Sequence, residues 1–137
     1  MRPVDFFVFT KDFARLRLAE YFQVTPTEIK FYPLQNGSNI YKLAYKDNEY
    51  YIKFSSPVLP RKDLKKFVWD FDIRQNMWMD NKNRKIPAEH RPNLYYLLVG
   101  LERGLPKRVF LINSEEVPTS HVRIMLEGKS IYHKYEI

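Results

Sequence analysis

The chain reads as an α/β (α+β) domain built on a mixed central sheet, with elements in the order α-β-β-β-α-β-β. Three observations predict it. An apolar segment at helical spacing opens the chain, two β-rich runs flank a short polar turn at residues 46–49, and two long unalternated apolar runs follow a second helix-spaced segment. Helices on both faces of a mixed sheet are the natural closure of that order.

The elements follow one by one. Thr10 suits an N-cap and Asp12 a first turn, for a helix over residues 11–22. Its apolar positions, from Phe13 and Ala14 to Tyr21 and Phe22, cover more than one stripe. Pro26 blocks continuation. Glu28 to Tyr32 reads as a short strand, and Gln35-Asn36-Gly37-Ser38-Asn39 as a turn cluster. Residues 40–45 and 50–54 are the β-rich runs, joined into a hairpin by Lys46-Asp47-Asn48-Glu49. Alternation puts Tyr51, Lys53 and Ser55 on one face of the second strand and Ile52 and Phe54 on the other.

Pro57 and Pro60 end that strand. From Arg61 onward, Leu64, Phe67, Val68, Phe71 and Trp78 recur at helical spacing with Lys62, Lys65 and Lys66 outward, which predicts the second helix. Residues 80–92 are polar and basic, a surface loop by composition. Residues 94–101 and 109–112 are apolar without alternation, the pattern of strands covered on both faces. Residues 122–126 suit an edge or extra strand, and the tail from Lys129 is left open.

The length of 137 residues allows one domain, residues 1–137, and excludes kinases, barrel enzymes and two-domain dehydrogenases. With 45% apolar and 28% charged residues the composition is globular. Zero cysteines exclude a disulfide scaffold and thiolate chemistry, and three scattered histidines argue against zinc. No export signal opens the chain, and no apolar run approaches the ~20 residues needed to span a bilayer, so a cytoplasmic protein without a membrane partner is expected. The net charge of +7 points to polyanionic partners.

Several strings extend the argument: Ala19-Glu20 on the first helix, Tyr41-Lys42-Leu43, Tyr50-Tyr51-Ile52-Lys53-Phe54-Ser55-Ser56, and the pair of runs over residues 95–101 and 108–117. Together with the element order they resemble the PD-(D/E)XK, or restriction-endonuclease-like, nuclease superfamily over nearly the whole chain. The resemblance implies that fold. In active members it implies an Asp and a Glu or Gln on adjacent hairpin strands holding Mg²⁺, a Lys two residues further on, and an outer Glu on the helix. Carried over, the helix Glu is Glu20 and the Lys is Lys53. The Asp position falls on Lys42 or, aligned on the turn, on Asn39. Aligned on the Gln-Val-Lys string of such members, Lys53-Phe54-Ser55 puts a cation at the ligand position and a hydroxyl at the Lys position; slid by two, Tyr51-Ile52-Lys53 recovers the Lys and lacks the carboxylate. A nearby ammonium would repel Mg²⁺.

Three functions compete. The first is a nucleic-acid-binding protein, with DNA as partner, on a restriction-endonuclease-like fold whose catalytic site is impaired and which needs no cofactor. Its phosphate contacts would come from Lys42, Lys62, Lys65, Lys66, Lys82, Arg84, Lys85 and Arg91, with Trp69, Trp78 and Tyr132 as candidates for base stacking. The second is an active Mg²⁺-dependent endonuclease of restriction, repair or mobile-element type, with Glu20 and Lys53 catalytic and Glu20 and Asn39 on the metal. The third is a protein-interaction or assembly subunit with an aromatic interface. A homodimer or larger complex is compatible with each.

Overall fold

In the computed structural model, which describes residues 3–33, 40–127 and 130–137, helix α1 spans Pro3–Phe22. It begins earlier than expected, so Thr10 lies inside the helix and not at its N-cap. A proline suits the helix start because its missing N–H would have no intrahelical partner there. Ala14, Leu18 and Ala19 are buried, and the two alanines let the helix sit close on the sheet beneath.

A 3₁₀ turn at Pro26–Glu28 follows, braced where the Thr25 N–H donates to Glu28 Oε2 at 2.8 Å. Strand β1 (Phe31–Pro33) therefore starts later than Glu28. Strands β2 (Ile40–Tyr45) and β3 (Asn48–Phe54) form the expected hairpin around a tighter Lys46-Asp47 turn, at positive φ on both residues. Such two-residue turns match the right-handed twist of paired strands.

The second helix does not exist. Its residues are strands β4 (Arg61–Asp63), β5 (Lys66–Asp72) and β6 (Gln75–Met79), and part of the expected loop is strand β7 (Lys82–Ile86). The helical spacing of Leu64, Phe67, Val68, Phe71 and Trp78 was coincidental. Leu64 sits in the β4–β5 turn with φ of 57°, fully in solvent, and Trp78 is exposed. The period that matters is two: Trp69, Phe71 and Ile73 point inward, while Asp70 and Asp72 point outward.

Strands β8 (Leu94–Glu102), β9 (Leu105–Asn113) and β10 (His121–Met125) complete the chain's regular elements. The main sheet has the order β1-β2-β3-β8-β9, mixed because β3 and β8 are parallel while the other pairs are antiparallel. A second, antiparallel sheet has the order β10-β5-β4, which puts β10 at an edge, and β6–β7 stands alone as a hairpin. The fold is thus α+β in three layers: α1, the main sheet and the second sheet. The expected order α-β-β-β-α-β-β is corrected to one helix followed by ten strands among the described residues.

The two interfaces between layers hold the core. Ala14 and Leu18 pack with Leu43, Ile52, Phe54, Leu97 and Val99 on one side of the main sheet. Trp69 and Phe71 pack with Tyr96, Leu98, Phe110, Ile112 and Ile124 on the other. Successive residues of β8 feed opposite layers, which explains its unbroken apolar run. The layers are also tied by a hydrogen bond: the Trp69 indole N–H donates to the Leu101 carbonyl at 2.8 Å, across Gly100.

The tail closes over β9. The Ile137 N–H donates to the Val109 carbonyl at 2.9 Å, and the Arg108 guanidinium holds the Glu136 carboxylate through two bonds of 2.6 Å. Those bonds hold the Glu136 carboxyl below its ordinary value of 4.5. A lowered folded-state value means that the pair stabilises the fold above the unfolded value and that this contribution is lost as pH falls through the folded one. Glu136→Gln is expected to cost about 1–2 kcal/mol at neutral pH and progressively less as pH falls below 4.5, checked by urea denaturation across that range. Among the described residues no helix is long and apolar enough to cross a membrane.

Candidate nucleic-acid interface

Among the described residues the second sheet covers β8 and β9 and leaves β1, β2 and β3 bare on that side, because the shared core takes Tyr96, Leu98, Phe110 and Ile112 and nothing from β2 or β3. Strand register builds two rows on the bare face. Tyr32, Lys42 and Tyr51 stand side by side, and Ile40 and Lys53 form the next row, which continues under the second sheet at buried Tyr96. The alternation expected for β3 holds, since Ile52 and Phe54 are buried under α1 while Tyr51 and Lys53 face away from it.

Lys53 is the centre of this face. Its ammonium lies 5.7 Å from the Tyr96 ring centroid, half-buried, and no ion pair engages it among the described residues. Burial lowers its pKa; Glu89 partly opposes this and Lys85 adds to it. Tyr96 is fixed in turn by its hydroxyl donating to the Glu89 carbonyl at 2.8 Å, and burial pushes that phenol up to about 12. On the neighbouring strand, Lys42 Nζ meets Glu49 Oε1 at 2.8 Å, which raises the Lys42 pKa.

Two further cations arrive from outside the sheet. The Arg91 guanidinium lies 4.8 Å over the Tyr51 ring, and its Nε is 3.1 Å from Glu89 Oε1. Buried Ser114 sets that position by accepting from the Arg91 N–H at 3.0 Å and donating to its carbonyl at 2.7 Å. Lys85 comes from β7 and reaches Asp72 at 3.9 Å. Asp72 is held by Arg74 through bonds of 3.0 and 2.8 Å, which keep its carboxyl well below the usual carboxylate range.

Of the residues expected at a site, the structure brings together Lys42, Lys53, Lys85 and Arg91. Lys62, Lys65 and Lys66 lie elsewhere, on the β4–β5 hairpin of the second sheet, and Lys82 and Arg84 lie out along the β6–β7 hairpin. Glu20 is on α1, exposed and 3.7 Å from Arg17, on the opposite side of the main sheet from Lys53. The two do not converge, because Lys53 points away from the layer that α1 covers. Asn39 lies outside the described residues. Among the described residues no three His, Asp or Glu side chains are grouped to hold a metal ion. Trp69 is buried and closed to stacking, Tyr132 is partly buried against the second core, and Trp78 is 67% exposed.

Tyr51, Glu89 and Ser114 were not singled out from the sequence. For Tyr51 the signal was present in its alternation with Ile52; for Ser114 no local signal exists. No known protein family, no curated protein and no solved structure matches the chain.

Proposed function

We propose that this protein binds nucleic acid, with duplex DNA as its ligand, by gripping phosphates on the bare face of β1–β3 without a metal ion. The observation that carries the reading is the convergence of Lys42, Lys53, Lys85 and Arg91, from four separate segments, around Tyr51 on an uncovered sheet face. Among the described residues Lys53 has no ion-pair partner, and it has lost part of its hydration. A phosphate oxygen supplies both. Exposed Tyr32 and the ring of Tyr51 offer flat surfaces beside the cations.

The scaffold is read as restriction-endonuclease-like with an impaired catalytic site. Helix α1, the antiparallel β1–β3 unit and the parallel return of β8 beside β3 support that reading. Cations at positions 42 and 53, and Glu20 on the far side of the sheet, support the loss of nuclease chemistry.

The test is fluorescence anisotropy with duplex and single-stranded oligonucleotides over a salt series, in EDTA and in Mg²⁺ or Mn²⁺. Four phosphate contacts give a slope of log affinity against log salt of about −3.6 for a duplex. Metal is expected to change neither affinity nor the intact length of the DNA. Lys53→Met is expected to flatten the slope by about 1 while leaving Tm unchanged or raised, since it removes a half-buried ammonium. Metal-dependent cleavage would restore the endonuclease reading, and absence of binding at low salt would end the proposal.

A further inference from the structure

We infer that the β6–β7 hairpin is an arm that enters a groove of duplex DNA and wedges a base step, an inference that rests on the nucleic-acid reading above. The hairpin pairs with neither of the two larger sheets. Its register runs from Gln75 opposite Ile86 to Met79 opposite Lys82, a ribbon about 17 Å long at 3.4 Å per residue. Residues 76–85 are all exposed. A two-stranded hairpin alone is marginal in water, and this one is held at its base. The Gln75 side-chain amide donates to the Pro87 carbonyl at 2.9 Å, the Ala88 N–H donates to the Thr119 carbonyl at 2.8 Å, and Ile73 and Ala88 are buried on either side. Its Asp80-Asn81 turn has φ of 53° and 60°, the paired left-handed geometry that keeps such a ribbon tight and twisted.

The chemistry of the arm is neither that of a solvated loop nor that of a core. Met77, Trp78 and Met79 are exposed in a row. The register puts Met77 and Met79 on one face with Arg84 and Lys82, and Trp78 on the other with Lys85 and Asn83. One face therefore joins two methionines to two cations and the other joins Trp78 to Lys85, and Asp80, 3.5 Å from Arg84, is the single acid of the arm. A two-stranded ribbon fits a duplex groove. Apolar side chains inserted between base steps, with cations on the flanking phosphates, are how groove-binding proteins kink DNA.

Placement gives an independent reason for this occupant over a protein partner. Lys85 belongs both to the arm and to the surroundings of Lys53, so the arm continues the cationic face and a duplex lying on one meets the other. An apolar protein partner would have to desolvate Lys82, Arg84 and Lys85 without supplying anions for them.

Trp78 makes the test direct, because the chain has two tryptophans and Trp69 is buried. Acrylamide quenching is measured with and without a 20-base-pair duplex, and with neutral and anionic phospholipid vesicles. Affinity and the end-to-end distance of a doubly labelled duplex are measured for wild type and for a Trp78→Ser/Met79→Ser variant, whose changes at exposed positions leave Tm in place. The expected result is that duplex alone shields Trp78 severalfold, that wild type shortens the duplex, and that the variant loses both the shortening and about tenfold in affinity. If the duplex binds with the predicted salt slope while Trp78 stays open and the variant binds equally, the arm is idle and the phosphate-gripping face stands. Shielding by vesicles or by single strands in place of duplex overturns the inference, and absence of all nucleic-acid binding overturns both readings.

Discussion

Gly100→Ala is expected to destabilise the fold by about 1–3 kcal/mol, a sizeable part of the stability of a domain this size. A Cβ at this position would stand 2.5 Å from Cε2 and 2.6 Å from Cδ2 of Trp69, closer than carbon atoms approach. The indole has nowhere to go. It is 1% exposed, bonded through its N–H to the Leu101 carbonyl, flanked by Phe110 at 6.2 Å and covered by the Arg108 guanidinium at 5.6 Å. Relief requires either strain in β8 or a shift of the ring that leaves its N–H without a partner in a dry interface. Each costs about 1–3 kcal/mol. Urea denaturation followed by near-ultraviolet circular dichroism reads the loss. A double-mutant cycle with Trp69→Leu identifies its source: the smaller side chain is expected to recover part of the stability only in the Gly100→Ala background. Additive costs would mean that the clash is not the cause.

The same contact shows what the sequence could and could not reveal. The β2–β3 hairpin was legible because its alternation, its turn residues and its partner strand all lie within fifteen residues, and β8 was legible because a strand buried on both faces has a distinctive composition. The second layer was not. Leu64, Phe67, Val68 and Phe71 satisfy a helical period, and Trp69, Phe71 and Ile73 satisfy a period of two over the same stretch. The choice between them is made by distant residues: β10, which pairs with β5 from about fifty positions away, and Gly100, whose missing side chain makes room for the indole. An antiparallel sheet can then cover the surface that a helix was expected to cover.

Legibility of the candidate site follows the same division. That Lys53 faces away from Ile52 was readable from alternation alone. That Glu20 lies on the far side of the sheet was not, since strand alternation does not say which face a helix from elsewhere in the chain will cover. Lys42, Lys85 and Arg91 were visible as charges, but charge alone did not separate them from Lys62, Lys65 and Lys66. The separation depends on which half of the main sheet the second sheet leaves bare, and on Ser114 holding the Arg91 backbone beside Tyr51.

Neutralising Lys42, Lys53, Lys85 and Arg91 together, with Gln at three positions and Met at 53, is expected to remove about a thousandfold of duplex affinity at 0.15 M salt. The figure follows from counterion release: a slope of about −3.6 carried from 1 M to 0.15 M salt amounts to three decades, so the loss should shrink toward nothing near 1 M. The acids on this face do not prevent binding. Glu49 and Glu89 pair with Lys42 and Arg91 at partly exposed positions, where such pairs are worth about 0–1 kcal/mol, and a phosphate that spans two cations displaces them at little cost. For the same reason the fourfold variant should stay folded, with a Tm near that of wild type. Neutralising Lys62, Lys65 and Lys66 on the second sheet removes nearly as much net charge. If the grip is local, that variant changes affinity and slope little. If the two variants lose affinity equally, the long-range field of a basic protein, and not the bare face of β1–β3, holds the DNA.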